Sequence, residues 1–242
     1  MNSSEHDQER HEAEEIRKLE ARIAGRSELL SARTMPVDWE VIHVVHPRPP
    51  LLVRVLIKLH QRLRNRRLAR SFRTFGRGST LARPCWVHGR QSISIGERVT
   101  IWTGARLTAV NASSDRSLLE IGDGTAIHPN AHVSAARSVR IGKGVLMAPN
   151  CYVTDHDHDW LNPADPPRTN ARLLAAPTTI GDHVWLGEKV SVLKGVTIGE
   201  SCVIGAGSVV SGDIPPFSMA VGSPARVVRT WDHELGAWAR QG

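Results

Sequence analysis

The chain has 242 residues, enough for one sizeable core and an appendage, and a formal net charge of +7. Aromatic residues make up only 5% of it, which suits a narrow interior filled by Val, Ile, Leu and Ala. No run approaches the roughly 20 apolar residues of a membrane span, and no basic segment followed by an apolar one opens the chain. The 3 cysteines show neither disulfide nor zinc spacing. A cytoplasmic protein is therefore expected.

Residues 1–28 read as a polar helix. Ile16, Leu19 and Ile23 recur at i, i+3 and i+7, and Gly25 ends the pattern. Two heptads are too few for a coiled coil. The Pro47 to Pro50 segment marks a boundary, and 51–68 follows as a helix with one apolar stripe of Leu51, Leu52, Val55, Leu56, Leu59 and Leu63. Arginines crowd the next stretch, at 62, 64, 66, 67, 70, 73 and 77. The excess of positive charge favours anionic partners. No aromatic interleaving or nucleic-acid motif accompanies it, so no nucleic-acid partner is expected. Two readings of this helix stay open. It covers the end of the repeat array that follows, or it lies on a membrane, with the arginines of 51–77 on anionic headgroups at the inner face. Residues 1–74 thus form an N-terminal helical and basic extension.

From Phe75 the periodicity changes. Phe75, Leu81 and Val87 are six apart, as are Ile95, Ile101 and Leu107, then Ile121, Ile127 and Val133, then Ile141, Met147 and Val153. Ile180, Leu186, Val192, Ile198, Ile204 and Val210 continue the pattern without a miss. A period of six is neither the 3.6 of a helix nor the alternation of a hairpin strand. It suits a coil of short strands joined by tight turns, one aliphatic pointing inward per side. A small or β-branched residue stands four places after each aliphatic, as at Val184, Val190, Val196, Cys202 and Ser208. Cys85 and Cys151 occupy the same place, so all the cysteines are expected to be buried core thiols. Gly181, Gly187, Gly199 and Gly205 directly follow aliphatics and are expected to relieve left-handed turns. A single coil cannot bury its apolar face, so the coils must stack.

The predicted fold is an all-β solenoid of about six coils over 75–216, with a tail over 217–242. Two jumps, Val87 to Ile95 and Val133 to Ile141, are eight instead of six, and both fall after the third side of a coil. Two insertions interrupt the array. A polar one runs from Thr108 to Glu120, and an external loop spans 154–179. Long insertions in a solenoid are where binding is expected.

The segment from Ile198 to Val210, followed by Asp213 to Pro216 and Ala220 to Val227, resembles the C-terminal signature of the hexapeptide-repeat acyltransferases. That family's fold is a left-handed parallel β-helix of triangular section, and the resemblance covers about 75–229. It implies a homotrimer with each site between two subunits, acetyl-CoA as acyl donor, and a sugar or glycan acceptor. It places the acetyl-CoA contacts on Glu188, Ala206, Ser211, Arg226 and Arg229. The backbone N–H of Glu188 would stabilise the oxyanion, and the two arginines would meet the CoA phosphates. Where relatives carry a threonine and a lysine, this chain has Ser211 and Gly212, so one cationic contact is missing; Lys189 and Lys194 are the candidates to replace it.

The external loop carries the densest polar chemistry, from Asp155 through His156, Asp157, His158 and Asp159 to Trp160. Acyl transfer from a thioester to a hydroxyl needs the hydroxyl proton removed during attack, and neutral imidazole suits that role. Matching Thr154, Asp155 and His156 to the motif of the sugar O-acetyltransferases puts the base on His156, with nearby aspartates orienting its ring. Asp155, His158, Trp160, Trp185 and His128 are the acceptor-binding candidates, with Trp102 a weaker one. His128 and Ala136 stand where galactoside-type relatives place an asparagine and an aspartate. The loop itself looks more like those of acetyltransferases of polysaccharide assembly. Two other readings stay open. One is an amino-sugar N-acetyltransferase. The other is a metalloenzyme like the gamma-class carbonic anhydrases, with His128, His132 and His183 as further ligands, although the closely spaced His156 and His158 do not match that family's layout. No metal is expected.

Overall fold

A computed structural model describes residues 69–113, 115–166, 168 and 170–240. The helices expected over 1–28 and 51–68 lie outside the described residues. The described end of the basic stretch, at Arg70, Arg73 and Arg77, is exposed. Among the described residues, no helix is long and apolar enough to cross a membrane. The chain divides into two units, 48–231 with 240–242, and 1–47 with 232–239. The strand Ala237–Arg240 falls largely in the second.

The first unit is a prism of six stacked coils, as the periodicity predicts. Its first face is built by Thr74–Phe75, Ile93–Ile95, Leu119–Ile121, Val139–Ile141, Thr178–Ile180 and Thr197–Ile198. Its second face holds Thr80–Leu81, Thr100–Ile101, Ala126–Ile127, Leu146–Met147, Trp185–Leu186 and Val203–Ile204. Its third holds Trp86–His88, Arg106–Ala109, His132–Ala135, Tyr152–Thr154, Ser191–Val192 and Val209–Val210. Neighbouring coils pair in parallel and in register, so each inward aliphatic sits directly on the one below: Ile95 on Ile121, Ile127 on Met147, Val153 on Val192. Nearly all of them are fully buried; Phe75 and Val87, in the terminal coil, are only partly covered.

The corners correct one expectation. Gly181 does not relieve a left-handed turn. A Cβ there would stand 2.6 Å from the backbone nitrogen of Glu200, so the glycine permits close approach of the next coil. The left-handed residue comes two places later, at Asn130, Asn150, His183, Lys189 and Ser201. Asparagine accepts that conformation readily; the others carry a local cost of about 1–2 kcal/mol that the stacked coils on either side overcome.

The small residue that follows fills the inside of each corner. Where it is polar, it bonds to the backbone of the next coil or of its own turn. Ser79 Oγ donates to Gly96 O at 2.6 Å, Thr125 Oγ1 to Gly142 O at 2.8 Å and Ser208 Oγ to Gly205 O at 2.7 Å. The cysteines act likewise: Cys85 donates to Ala105 O at 3.0 Å, Cys151 to Gly187 O at 3.2 Å and Cys202 to Pro215 O at 3.0 Å. Cys151 and Cys202 are buried and Cys85 is half-buried. Burial pushes the Cys85 and Cys151 thiols up to about 11, which makes them poor nucleophiles.

Residues expected as a tail contain strands. Ser218–Gly222 adds in parallel to Val203–Ile204 on the second face, and Ala225–Asp232 folds back antiparallel on it. Both insertions leave the prism at the corner between the third and first faces, the corner of the two longer jumps.

Candidate active site

The external insertion begins where the third-face strand Tyr152–Thr154 ends. It is not an open loop. His156–His158 pairs antiparallel with Leu173–Ala175, with His156 opposite Ala175 and His158 opposite Leu173. Its neck is sealed by Ala176 N–H donating to Asp155 O at 2.8 Å and by Thr178 Oγ1 donating to Thr154 O at 2.9 Å. Farther out, Arg172 clamps Asp159 at 2.9 Å and Asp165 at 2.8 Å.

Asp155 points inward and is fully buried. Its Oδ1 accepts the Ala136 N–H at 2.8 Å, and its Oδ2 accepts those of Arg137 at 2.7 Å and Ser138 at 2.5 Å. It thereby satisfies the corner turn of the preceding coil. Oδ1 also lies 2.8 Å from His156 Nδ1. Burial by itself would raise the Asp155 pKa. The bonds from His156 and the three amides outweigh it and hold the carboxyl below the usual carboxylate range. An ionised carboxylate only accepts, so His156 Nδ1 carries a proton, and in the neutral ring the lone pair is on Nε2. Thr154 Oγ1, 3.3 Å from Nδ1, steadies the ring from the strand side. The His156 side chain is 14% exposed, enough to present one edge. Asp155 therefore cannot face an acceptor as expected, because every approach to it is closed by protein.

Alternation along the strand puts His158 on the same side as His156 and Asp157 on the other. His158 is exposed. Asp157 forms an ion pair with Lys194 from the corner after Ser191–Val192, which ties the insertion to the next coil. Lys194 is thus engaged, and Lys189 stands 3.9 Å from Glu188. Trp160 is exposed on the insertion. Trp185 is exposed on the second face next to Leu146. His128 stacks on the exposed Trp102, with ring centroids 5.3 Å apart, at the corner between the second and third faces. Among the described residues, no three His, Cys, Asp or Glu side chains converge as a metal site requires.

Glu188 and Ala206 stand at that same corner, one coil apart. Among the described residues, neither backbone N–H has an acceptor, whereas their neighbours Gly187, Lys189, Gly205 and Gly207 all donate to adjacent coils. Arg226 lies beside Val221, which continues this edge, and bonds Ala225 O at 2.9 Å. Arg229 is opposite Met219 on the same ribbon. Ser211 is exposed at the other end of the third face. Within one chain, the acceptor-side residues of the insertion and the open amides at Glu188 and Ala206 thus occupy different corners, separated by the width of the third face.

Of the outward residues of that face, the sequence offers His132 only as a metal-ligand candidate and does not single out Arg106 or Tyr152. Arg106, His132 and Tyr152 each precede an inward aliphatic by one place, and that register was the available signal.

Residues 177–212 match the family described as "Bacterial transferase hexapeptide (six repeats)". The chain is 34% identical over 175 residues to the Putative lipopolysaccharide biosynthesis O-acetyl transferase WbbJ of Escherichia coli K12, covering 69% of this chain and 87% of that protein. It is 35% identical over 159 residues to the Galactoside O-acetyltransferase of the same strain, covering 63% and 77%. The fold is similar to that of AntD, an N-acyltransferase from Bacillus cereus solved with dTDP and 3-hydroxybutyryl-CoA, at a TM-score of 0.60 and 18% identity over 73% of this chain and 90% of that one. The coils, the histidine-bearing insertion and these relatives together place the chain in the hexapeptide-repeat acyltransferase family, whose fold is the left-handed parallel β-helix.

Proposed function

We propose that this protein transfers acetyl from acetyl-CoA to a hydroxyl of a sugar or polysaccharide precursor. The observation that carries the reading is the Asp155–His156 pair. A buried carboxylate with all its donors in place fixes the tautomer and orientation of a partly exposed imidazole, which is what a general base requires. His156 Nε2 takes the hydroxyl proton as the oxygen attacks the thioester carbonyl. The tetrahedral oxyanion is held by the Glu188 N–H, and the C–S bond then breaks. The proton on His156 passes to the departing CoA sulfur, leaving the acetyl ester. The open amides of Glu188 and Ala206 form a track for the amide-rich pantetheine arm, with Arg226 and Arg229 toward its phosphates. Ser211, exposed beyond the third face, is the remaining acetyl-CoA contact in this reading.

The separation of the two corners gives the assembly a role. A base on one corner and an oxyanion donor on another meet when the corners of neighbouring copies face each other, so we infer a homotrimer with shared sites. His158 and Trp160 then border the acceptor, with Trp185 and the His128–Trp102 stack on the facing subunit.

Equilibrium binding of acetyl-CoA and release of CoA thiol in the presence of sugar alcohols and amino sugars test the proposal. Binding by wild type, weakened in Arg229→Ala, with ester formation that fails in His156→Ala, is the expected result. Exclusive acceptance of amines would replace the ester by an amide. Absence of acetyl-CoA binding would overturn the assignment.

A further inference from the structure

The outward surface of the third face changes chemistry along the prism axis. One outward row runs along it in register: Trp86, Arg106, His132, Tyr152, Ser191 and Val209. Successive coils are about 4.8 Å apart. His156 leaves this face just beyond Tyr152, so it divides the row. On the C-terminal side the row is small and uncharged, at Ser191 and Val209. On the N-terminal side it is cationic and aromatic.

The N-terminal part behaves as one cluster. The rings of His132 and Tyr152 pack with centroids 5.4 Å apart. Arg106 is exposed, and its guanidinium has no hydrogen bond or ion pair among the described residues. Burial lowers the His132 pKa, and the neighbouring Arg106 charge lowers it further. The acids of the insertion are already engaged: Asp155 by three amides and His156, Asp157 by Lys194, Asp159 by Arg172. Trp86, 65% exposed, ends the row one coil below Arg106.

We propose that this row is an acceptor subsite for a phosphate or diphosphate group carried by the sugar, held by the Arg106 guanidinium and the His132 ring, with the sugar itself between Tyr152 and His156. This rests on the reading of His156 as base. Arg106 stands two coils below His156, and Glu188 and Ala206 belong to the two coils above. The phosphate site is therefore separate from the CoA phosphates at Arg226 and Arg229. A guanidinium fork suits a phosphate oxygen pair, and an unpaired arginine costs least to desolvate there. The aromatic face of Trp86 lies where the group beyond the phosphate would project, whether a nucleoside or a prenyl chain.

Calorimetric titration of the full chain with sodium pyrophosphate, at saturating acetyl-CoA, tests the subsite. Wild type should bind pyrophosphate, Arg106→Ala should weaken that binding at least tenfold, and Arg106→Lys should recover only part of it. Acetyl-CoA affinity and melting temperature should be unchanged in both variants. Equal pyrophosphate binding by wild type and Arg106→Ala, or none by wild type, would overturn the proposal even if acetyl-CoA binds normally. Loss of acetyl-CoA binding by wild type would instead sink the acyl-donor reading. A nucleoside diphosphate and farnesyl diphosphate distinguish the sources. Tighter binding of the first, lost in Trp86→Ala, marks a nucleotide-activated sugar, and tighter binding of the second a lipid-linked one.

Discussion

Two corners of the same prism are built under opposite constraints. Between the second and third faces, every turn from Ile101 to Leu107 up to Ile204 to Val210 keeps the six-residue step, with a left-handed residue at Gly104, Asn130, Asn150, Lys189 or Gly207. Between the third and first faces the step is free. It lengthens at Val87 to Ile95, takes an insertion after Leu107 and a larger one after Val153, then returns to six at Val192 to Ile198. The uniform corner presents unbonded amides in its last two coils, at Glu188 and Ala206. The variable corner presents side chains that no repeat could supply. A solenoid tolerates insertion at one corner because stacking of the faces fixes the coil ends wherever the chain wanders between them.

The largest effect should come from the variable corner. His156→Ala is expected to cut turnover by about 10²–10⁴-fold, the usual worth of a general base, while leaving acetyl-CoA affinity unchanged. Single-turnover CoA release together with equilibrium binding separates the two. Unchanged turnover would remove His156 from the mechanism.

Asp155→Asn should impair both rate and stability, because an amide cannot accept from three N–H groups and a ring nitrogen in the same place. We expect a loss of about 3 kcal/mol, the scale of leaving buried polar groups unsatisfied. The folded pKa of Asp155 lies below the unfolded value of about 3.9, so the stability it contributes is complete above roughly pH 4 and is lost as pH falls through the folded value. Denaturant curves for wild type and variant should therefore be far apart at neutral pH and converge in acid. A pH-independent gap would mean that the carboxylate charge is not what matters.

Within the stacked coils, Gly142→Ala should cost about 1–3 kcal/mol, since its Cβ would lie 2.6 Å from the carbonyl carbon of Gly181. Gly124→Ala meets nothing within 4 Å and carries only the left-handed penalty, about 1 kcal/mol. Thermal melts of the pair measure how tightly the coils stack, and equal losses would contradict the register. Lys194→Ala should have the smallest effect. The pair with Asp157 is partly exposed, at 30% and 41%, so its loss should cost about 0.2–1 kcal/mol. It should show mainly as a raised acceptor KM.

Much of the fold was legible because the repeat is local. Six residues make a side, and the aliphatic of each side must point inward, so Phe75 to Val210 already displays six coils. The site was legible only as far as composition reaches. His156 stands out in its polar run, and Glu188 and Ala206 were found by motif. The sequence alone could not tell Asp155 from Asp157. They flank the same histidine, yet one is buried under the amides of Ala136, Arg137 and Ser138 and the other faces Lys194.

By itself, then, the sequence determined the coil, its number and the corner that opens, since each depends on neighbours within a few residues. The tertiary structure decided which of the two flanking carboxylates is buried, that the Glu188 and Ala206 amides stay open, and that the Arg106 guanidinium has no partner among the described residues. Each of those depends on residues brought together by stacking: Asp155 with the turn of the coil before, the Glu188 amide with the absence of an acceptor in the coils around it, and Arg106 with the His132 above it.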